Sequence, residues 1–323
     1  MSKPKVAIYW AAACGGCDTK ILDIDEKILD VAAAVDLVFW PIAMDFKYKD
    51  VEAMADGEID LCVINGGVRN SEQEHIVKLL RRKSKVVAAL GACAISGGIP
   101  ALANLHDADG ILDYVYRRTA SMESSDGVLP QTEFEVSEGT LTLPAFYDSV
   151  FAVPQVIEVE YFIPGCPPPP ELIAKALELF AAGGLPPAPA VVAGDKSVCD
   201  ECPRQFSGEV NVTEWKRVAN AVPDPERCFL EQGFICMGPA TRSGCGALCP
   251  KANMPCEGCM GKAPDVLDRG GKMASVIGAL GGAKTEEEAE RLAGEVADPV
   301  GLFWRFDLPI SLMKGKVSGG QKP

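Results

Sequence analysis

The sequence predicts an α/β protein: a doubly wound parallel sheet first, then an irregular region rich in cysteine. Three observations carry this. Over roughly the first 180 residues, short apolar, β-rich runs alternate with segments of helical spacing. Strands buried on both faces read as continuous apolar runs of this kind. The stretch Gly183–Gly194 (GGLPPAPAVVAG) has the composition of a boundary, and beyond it residues 196–262 combine little periodicity with eight of the thirteen cysteines. The division expected is 1–182 for the sheet and 183–323 for the remainder.

The elements follow in chain order. Lys5–Trp10 is a strand, and Ala11–Gly16 the loop after it. Asp18–Val31 has helical spacing, with Ile21, Ile24, Ile28 and Leu29 on one face. Val35–Trp40 and Asp60–Asn65 read as strands. Ser71–Arg82 opens with Ser-x-x-Glu, the pattern of a capping box, and reads as a helix. Lys85–Leu90 is a further buried strand, followed by Gly-Ala-Cys. Residues 107–154 carry a hairpin pattern (TEFEVSEGTLTLPAF) and read as an insertion. Gln155–Ile163 is a strand, followed by Pro-Gly-Cys and by the helix Pro170–Phe180, which opens on prolines. In the tail, Pro264–Leu280 and Thr285–Val296 are helical. The apolar end GLFWRFDLPISL either packs on its own chain or forms an interface.

Composition narrows the function. Of 323 residues, 48% are hydrophobic and 24% charged, enough to bury a core. A net charge of -14 argues against non-specific nucleic-acid binding, which needs a basic face. No apolar run approaches the roughly 18 residues of a membrane span. The start MSKPKVAIYW has neither an apolar signal stretch nor twin arginines, so a cytoplasmic protein is expected. Two histidines leave little room for His-centred chemistry, whereas thirteen cysteines demand an explanation.

In a cytosolic chain disulfides are disfavoured. Cys62, in the apolar run IDLCVING, reads as a small core hydrophobe. The other twelve are Cys14, Cys17, Cys93, Cys166, Cys199, Cys202, Cys228, Cys236, Cys245, Cys249, Cys256 and Cys259, next to turn residues or in short-spaced sets. Twelve thiolates in fours point to zinc or iron–sulfur groups. Cys14 and Cys17, Cys93 and Cys166 follow three separate predicted strands, and ligands of an open parallel sheet gather at the carboxyl ends of its strands. These four cysteines are therefore expected to converge. Gly15, Gly16, Gly91 and Gly165 would let the backbone approach a cluster and donate N–H groups to sulfur. Residues 196–262 lack the periodicity of a conventional core, so inorganic clusters are expected to organise them. Neither AAACGGC nor GALGGAKT has the spacing or context of a phosphate loop.

The ordered set of cysteine motifs resembles the small, electron-transferring subunit of nickel–iron hydrogenases, over about residues 3–262. The matching elements are Cys14-x-x-Cys17, Gly91–Ala94, Pro164–Pro168, Cys199-x-x-Cys202, Cys228, Cys236–Pro239, Cys245 and Pro255–Cys259. Within the family, PIAMDFKYKD, INGGVRNSE and GACAISGGIPALANL look like the cytoplasmic, methyl-viologen-reducing branch associated with heterodisulfide reductase. The resemblance implies a flavodoxin-like sheet followed by an iron–sulfur domain. It also implies three 4Fe-4S clusters: a proximal one on Cys14, Cys17, Cys93 and Cys166, a distal one on Cys199, Cys202, Cys228 and Cys236, and a medial one on Cys245, Cys249, Cys256 and Cys259. Cys199 stands where periplasmic members often have a histidine, and Cys249 is a fourth cysteine where they often have three around a 3Fe-4S cluster. No role is carried onto Asp18 or Thr19, which follow Cys17.

The resemblance implies that a nickel–iron large subunit splits hydrogen, since no pair of C-x-x-C motifs here matches the family's nickel–iron ligands. This chain would conduct electrons to a small iron–sulfur subunit and heterodisulfide reductase. The charge-free loops Ala11–Gly16, Ala92–Pro100 and Pro164–Pro169 suit burial against the large subunit. Two alternatives stand beside this reading. One is the small subunit of a deazaflavin-reducing or sulfur-reducing cytoplasmic hydrogenase, the former marked by a flavin-binding partner. The other is a zinc-stabilised interaction protein, with Cys199 and Cys202 paired to Cys256 and Cys259 as in a zinc ribbon.

Overall fold

The computed structural model describes residues 3–123 and 127–313. Six parallel strands form one sheet in the order Asp36–Phe39, Lys5–Trp10, Ile59–Asn65, Ser84–Leu90, Tyr161–Ile163 and Ala190–Val191. In chain order that is 2-1-3-4-5-6, the flavodoxin-like arrangement with one added edge strand. The direction of winding reverses between Lys5–Trp10 and Ile59–Asn65, and this switch point opens at the carboxyl ends of the strands.

Helices cover both faces, which is why the strands are apolar on both sides. On one face Val6, Ile8, Leu61, Val63 and Leu90 pack with Ile21, Ile24 and the helix Pro170–Ala181 through Leu172, Ile173 and Ala176. On the other, Ala7, Cys62, Ile64, Val87 and Ala89 pack with Ile76, Val77, Leu79 and Leu80 of the helix Ser71–Lys83. Cys62 is the core residue its context predicts, at 0% exposure, and burial pushes its thiol up to about 12. The segment 107–154 contains the antiparallel hairpin Glu133–Val136 with Gly139–Thr142, and a strand, Phe146–Phe151, paired with Val68–Asn70.

Several expectations change in detail. The helix expected over Asp18–Val31 is two helices, Gly16–Leu22 and Lys27–Ala34, broken where Asp25 takes a left-handed φ of 56°. The run Asp-Ile-Asp-Glu is a poor helix interior, and Asp tolerates that backbone. Leu29 accordingly turns outward, at 70% exposure. The strand expected over Gln155–Ile163 pairs only from Tyr161, because Val153–Gln155 forms a 3-10 turn. The cap of the helix Ser71–Lys83 lies one residue earlier than Ser71: the Asn70 side chain accepts from the Gln73 N–H at 2.8 Å, and the Gln73 side chain accepts from the Arg69 N–H at 2.8 Å.

Residues 196–262 are built of short 3-10 turns and loops, yet they do have an apolar core. Val198, Trp215, Phe229, Leu230, Phe234 and Met237 pack with Met273, Ile277, Leu292 and Phe303 from the tail. The expectation of a coreless segment fails because the helices Arg269–Leu280 and Glu286–Gly294 supply the missing half. The end of the chain then crosses back to the sheet region. The Phe306 carbonyl accepts from Ser96 Oγ at 2.7 Å and from the Gly98 N–H at 3.0 Å. Most of GLFWRFDLPISL is thus spent within the chain, leaving Ile310 and Leu312 exposed. Among the described residues no helix is long and apolar enough to cross a membrane.

Candidate metal-cluster sites

The first group of cysteines gathers at the switch point. Cys14 follows Lys5–Trp10, and Cys17 lies in the first turn of Gly16–Leu22. Cys93 lies in the short helix Gly91–Ser96, directly after Ser84–Leu90, and Cys166 follows Tyr161–Ile163. The loops are tied to one another: the Ala92 N–H donates to the Gly165 carbonyl at 2.7 Å, and Ala12 and Gly67 exchange backbone hydrogen bonds. The thiols lie within each other's fields. Burial, then Cys93 and Cys166, pushes the Cys17 thiol well above the usual range. Burial, then Cys14, pushes Cys93 up to about 11. Burial, then Cys93 and Cys14, pushes Cys166 up to about 11.

Gly91 shows how closely the backbone follows the sulfurs. Its φ is +83°, and a Cβ there would lie 2.4 Å from Cys17 Sγ. A Cβ on Gly98 would lie 2.6 Å from Cys93 Sγ. Main-chain N–H groups point the same way, with the Gly16 N–H 3.4 Å from Cys14 Sγ and the Ile99 N–H donating to Cys93.

A second group lies in the irregular region. Burial, then Cys236, Cys228 and Cys202, pushes the Cys199 thiol up to about 12. Cys236 is pushed up to about 11 by burial, against N–H donation from Gly238 and Cys256. Cys228 is also raised by burial, and the Leu230 and Glu231 N–H groups donate to it.

Cys245, Cys249 and Cys259 form a third group, with Cys256 at its border. Cys259 is pushed up to about 12 by burial and by Cys245, Cys249 and Cys166, and it accepts from the Cys166 N–H. Burial also raises Cys249, and so, to a smaller degree, does the Cys245 thiol. Burial raises Cys256 strongly; Cys236 and Cys259 both act on it, and its N–H donates to Cys236 Sγ at 3.3 Å. The third group therefore touches the first through Cys166 and Cys259, and the second through Cys236 and Cys256.

Three side chains that sequence reasoning missed hold these loops. The Glu201 carboxylate, inside the Cys199–Cys202 pair, accepts from the Gly244 N–H at 2.8 Å and the Gly246 N–H at 2.9 Å, bracing the Cys245 turn. Arg204, almost buried, donates to the carbonyls of Asp224 and Arg227 and lies 3.7 Å over the Phe229 ring. An acidic residue between cysteines opposite Gly-Cys-Gly is a legible signal for the first; nothing local marks the second. Arg269, at 0% exposure, donates to the Gly258 carbonyl and pairs with Asp307 at 2.8 Å. It thereby fastens the Cys256–Cys259 turn to the tail.

These residues fit iron–sulfur groups. Thiols drawn together in burial with raised pKa values are poor company unless a cationic group holds them as thiolates. Main-chain N–H groups aimed at sulfur are the usual outer contacts of such groups. Among the described residues no three of His, Cys, Asp and Glu are placed to hold a single metal ion. The groupings rest instead on shared loops, mutual fields and N–H donors.

Residues 14–180 match the family model described as the NADH ubiquinone oxidoreductase 20 kDa subunit. The chain is 39% identical to the iron-sulfur subunit of the F420-non-reducing hydrogenase of Archaeoglobus profundus, covering 97% of this chain and 98% of that one. It is 40% identical to the corresponding subunit of the F420-non-reducing hydrogenase vhu of Methanococcus voltae, with the same coverage of 97% and 98%. Among solved structures, a chain of the [NiFeSe] hydrogenase from Desulfovibrio vulgaris Hildenborough superposes with a TM-score of 0.52 at 20% identity, over 83% of this chain and 96% of that one. That likeness shows the fold.

Proposed function

The chain belongs to the nickel–iron hydrogenase small-subunit family, in its F420-non-reducing branch, and from that premise we propose that it carries electrons from hydrogen oxidation at the large subunit toward a partner that feeds heterodisulfide reductase. Membership makes it a subunit of an oxidoreductase whose catalytic centre lies on another chain. The observation that carries the electron-path reading is the order of contact among the three cysteine groups: first to third through Cys166 and Cys259, third to second through Cys256 and Cys236.

On this reading Cys14, Cys17, Cys93 and Cys166 hold a proximal cluster, Cys245, Cys249, Cys256 and Cys259 a medial one, and Cys199, Cys202, Cys228 and Cys236 a distal one. Three 4Fe-4S clusters supply one-electron redox chemistry when bound. The chain's own residues place the ligands, direct N–H groups at sulfur and exclude water. The proposed division assigns residues 1–182 to the proximal site and 183–323 to the other two, in a cytoplasmic protein.

The proposed docking edge for the large subunit is the loop cluster around Cys14, Cys93 and Cys166. It carries no Lys, Arg, Asp or Glu, and Trp10 and Ile99 stand exposed there at 38% and 50%. The relatives' description as F420-non-reducing favours a small iron–sulfur partner over a deazaflavin-linked one.

The test is anaerobic purification of a tagged chain from its native cells, with nickel and iron analysis. The expected result is a complex with a nickel-bearing large subunit and about twelve irons in this chain, four per cysteine group. A stable monomer without nickel partner overturns the conduit; a colourless, zinc-bearing chain overturns the clusters; a flavin-bearing deazaflavin-reducing partner overturns the route.

A further inference from the structure

At the switch point of the sheet one side chain has polar atoms with nothing to meet. Asn65 is at 0% exposure, and neither its Nδ2 nor its Oδ1 makes a hydrogen bond among the described residues. Its backbone is satisfied, since its carbonyl accepts from the Ala11 N–H at 2.8 Å. Buried polar groups are rarely left without partners, because each unmet one is destabilising. Such an orphan points to a group that this chain by itself does not supply.

The register locates that group. Asn65 pairs with Trp10 on one side and Leu90 on the other. Those neighbouring strands run directly into the Cys14 loop and into Gly91–Cys93. Side chains alternate along a strand, so Asn65 shares the face of Leu61 and Val63. Leu90, Ile163 and Cys17 pack on that same face. Gly91, the residue after Leu90, lies so close to Cys17 Sγ that a Cβ would be 2.4 Å from it. The unmet carboxamide therefore lies on the sheet face that Cys17 packs against, at the strand ends from which the loops of the first cysteine group leave.

We infer that Asn65 is a positioning residue for the proximal site, its Nδ2 donating a hydrogen bond to a sulfur of the iron–sulfur group held by Cys14, Cys17, Cys93 and Cys166. This rests on the cluster reading above. The sulfurs carry more negative charge when the group is reduced, so a donor there favours the reduced form and raises the potential. A carboxamide suits this place better than a carboxylate, because Asp18 and Glu257 already add negative charge around Cys17 and Cys166.

The test uses the hydrogenase complex purified anaerobically, with Asn65→Leu and Asn65→Asp in this chain. Iron content is measured first: a wild-type complex without iron in this group would overturn the cluster reading itself. With iron present, redox titration followed by electron paramagnetic resonance should show the proximal signal reduced at lower potential in Asn65→Leu. The expected change is roughly tenfold in the redox equilibrium, about 59 mV for a one-electron couple. Asn65→Asp should move it further the same way. A proximal potential unchanged in loaded Asn65→Leu overturns the inference. Should both variants fail to load, the wild-type complex decides, labelled with 15N only in asparagine side-chain amides. A hyperfine coupling from such a nitrogen to the reduced proximal group supports the inference, and its absence overturns it.

Discussion

The two halves of this chain hold similar cysteine groups by different physical means. Around Cys14, Cys93 and Cys166 the loops hang from the ends of strands already joined by a parallel ladder, with apolar layers on both faces. Among the described residues around Cys199–Cys259 the backbone pairs in isolated bridges, such as Gln205 with Arg227 and Thr241 with Lys262, rather than in a continuous ladder, and side chains supplement them, with Arg204, Glu201 and Arg269 each reaching to main-chain groups of distant turns. Hydrogen-bonded ladders persist when one ligand is lost, because each rung supports the next. Single-residue clamps fail one by one. The first site is thus framed by a continuous ladder, and the second and third depend on isolated bridges, a few buried polar contacts, the apolar core completed by the tail and whatever holds the thiolates together.

The comparison breaks most visibly if iron is removed. Chelation should raise hydrogen exchange across residues 228–262 by roughly two orders of magnitude or more, while Ile59–Asn65 and Ser84–Leu90 keep their protection. The apolar core shared with Arg269–Leu280 should leave the tail helices partly protected. Equal loss in both halves would mean that the ladder gives the first half no independence.

A next, smaller effect is expected from Arg269→Met. It leaves Asp307, at 7% side-chain exposure, without its charged partner, and takes from the Gly258 carbonyl one of its two donors, the other being the Gly261 N–H at 3.2 Å. Burial already holds the Asp307 carboxyl above the usual carboxylate range, with Arg269 opposing that. Breaking a buried pair costs about 3–5 kcal/mol. The exposed pair Lys85–Asp60 should lose at most about 1 kcal/mol in Lys85→Met. Thermal unfolding of the loaded protein compares the two, and similar shifts would deny the clamp its role.

Gly91→Ala sharpens the contrast within the first site. The added Cβ meets Cys17 Sγ at 2.4 Å, on a backbone at φ +83°. The iron of one cysteine group in three should be lost while the sheet remains folded. Gly57→Ala, with φ +71° but nothing within 4 Å, supplies the backbone strain alone and should keep its iron. Iron analysis with circular dichroism separates them. The smallest change is Cys62→Ala: this cysteine lies in the sheet core, so iron should be unaltered and stability should fall by about 1 kcal/mol. Loss of iron in this variant would move Cys62 from packing to ligation.

By itself the sequence determined five of the six sheet strands, the longer helices and which cysteines stand in short-spaced sets, while the edge strand Ala190–Val191 lay in a stretch with the composition of a boundary. Those signals are local: an apolar run such as Asp60–Asn65, or a pair such as Cys14-x-x-Cys17, is readable wherever it lies in space. The convergence of the first cysteine group was legible too, because connectivity alone brings strand ends to one edge. Tertiary structure decided the rest. It set the helix break at Asp25, the cap at Asn70, the contact between Cys166 and Cys259, and the core that the tail completes for residues 196–262. It also decided that Asn65, Arg204 and Arg269 are buried. Asparagine at a strand end and arginine beside cysteine are ordinary in a sequence. Only the meeting of distant surfaces removes water from them, and that removal turns an ordinary polar side chain into one that must find a partner.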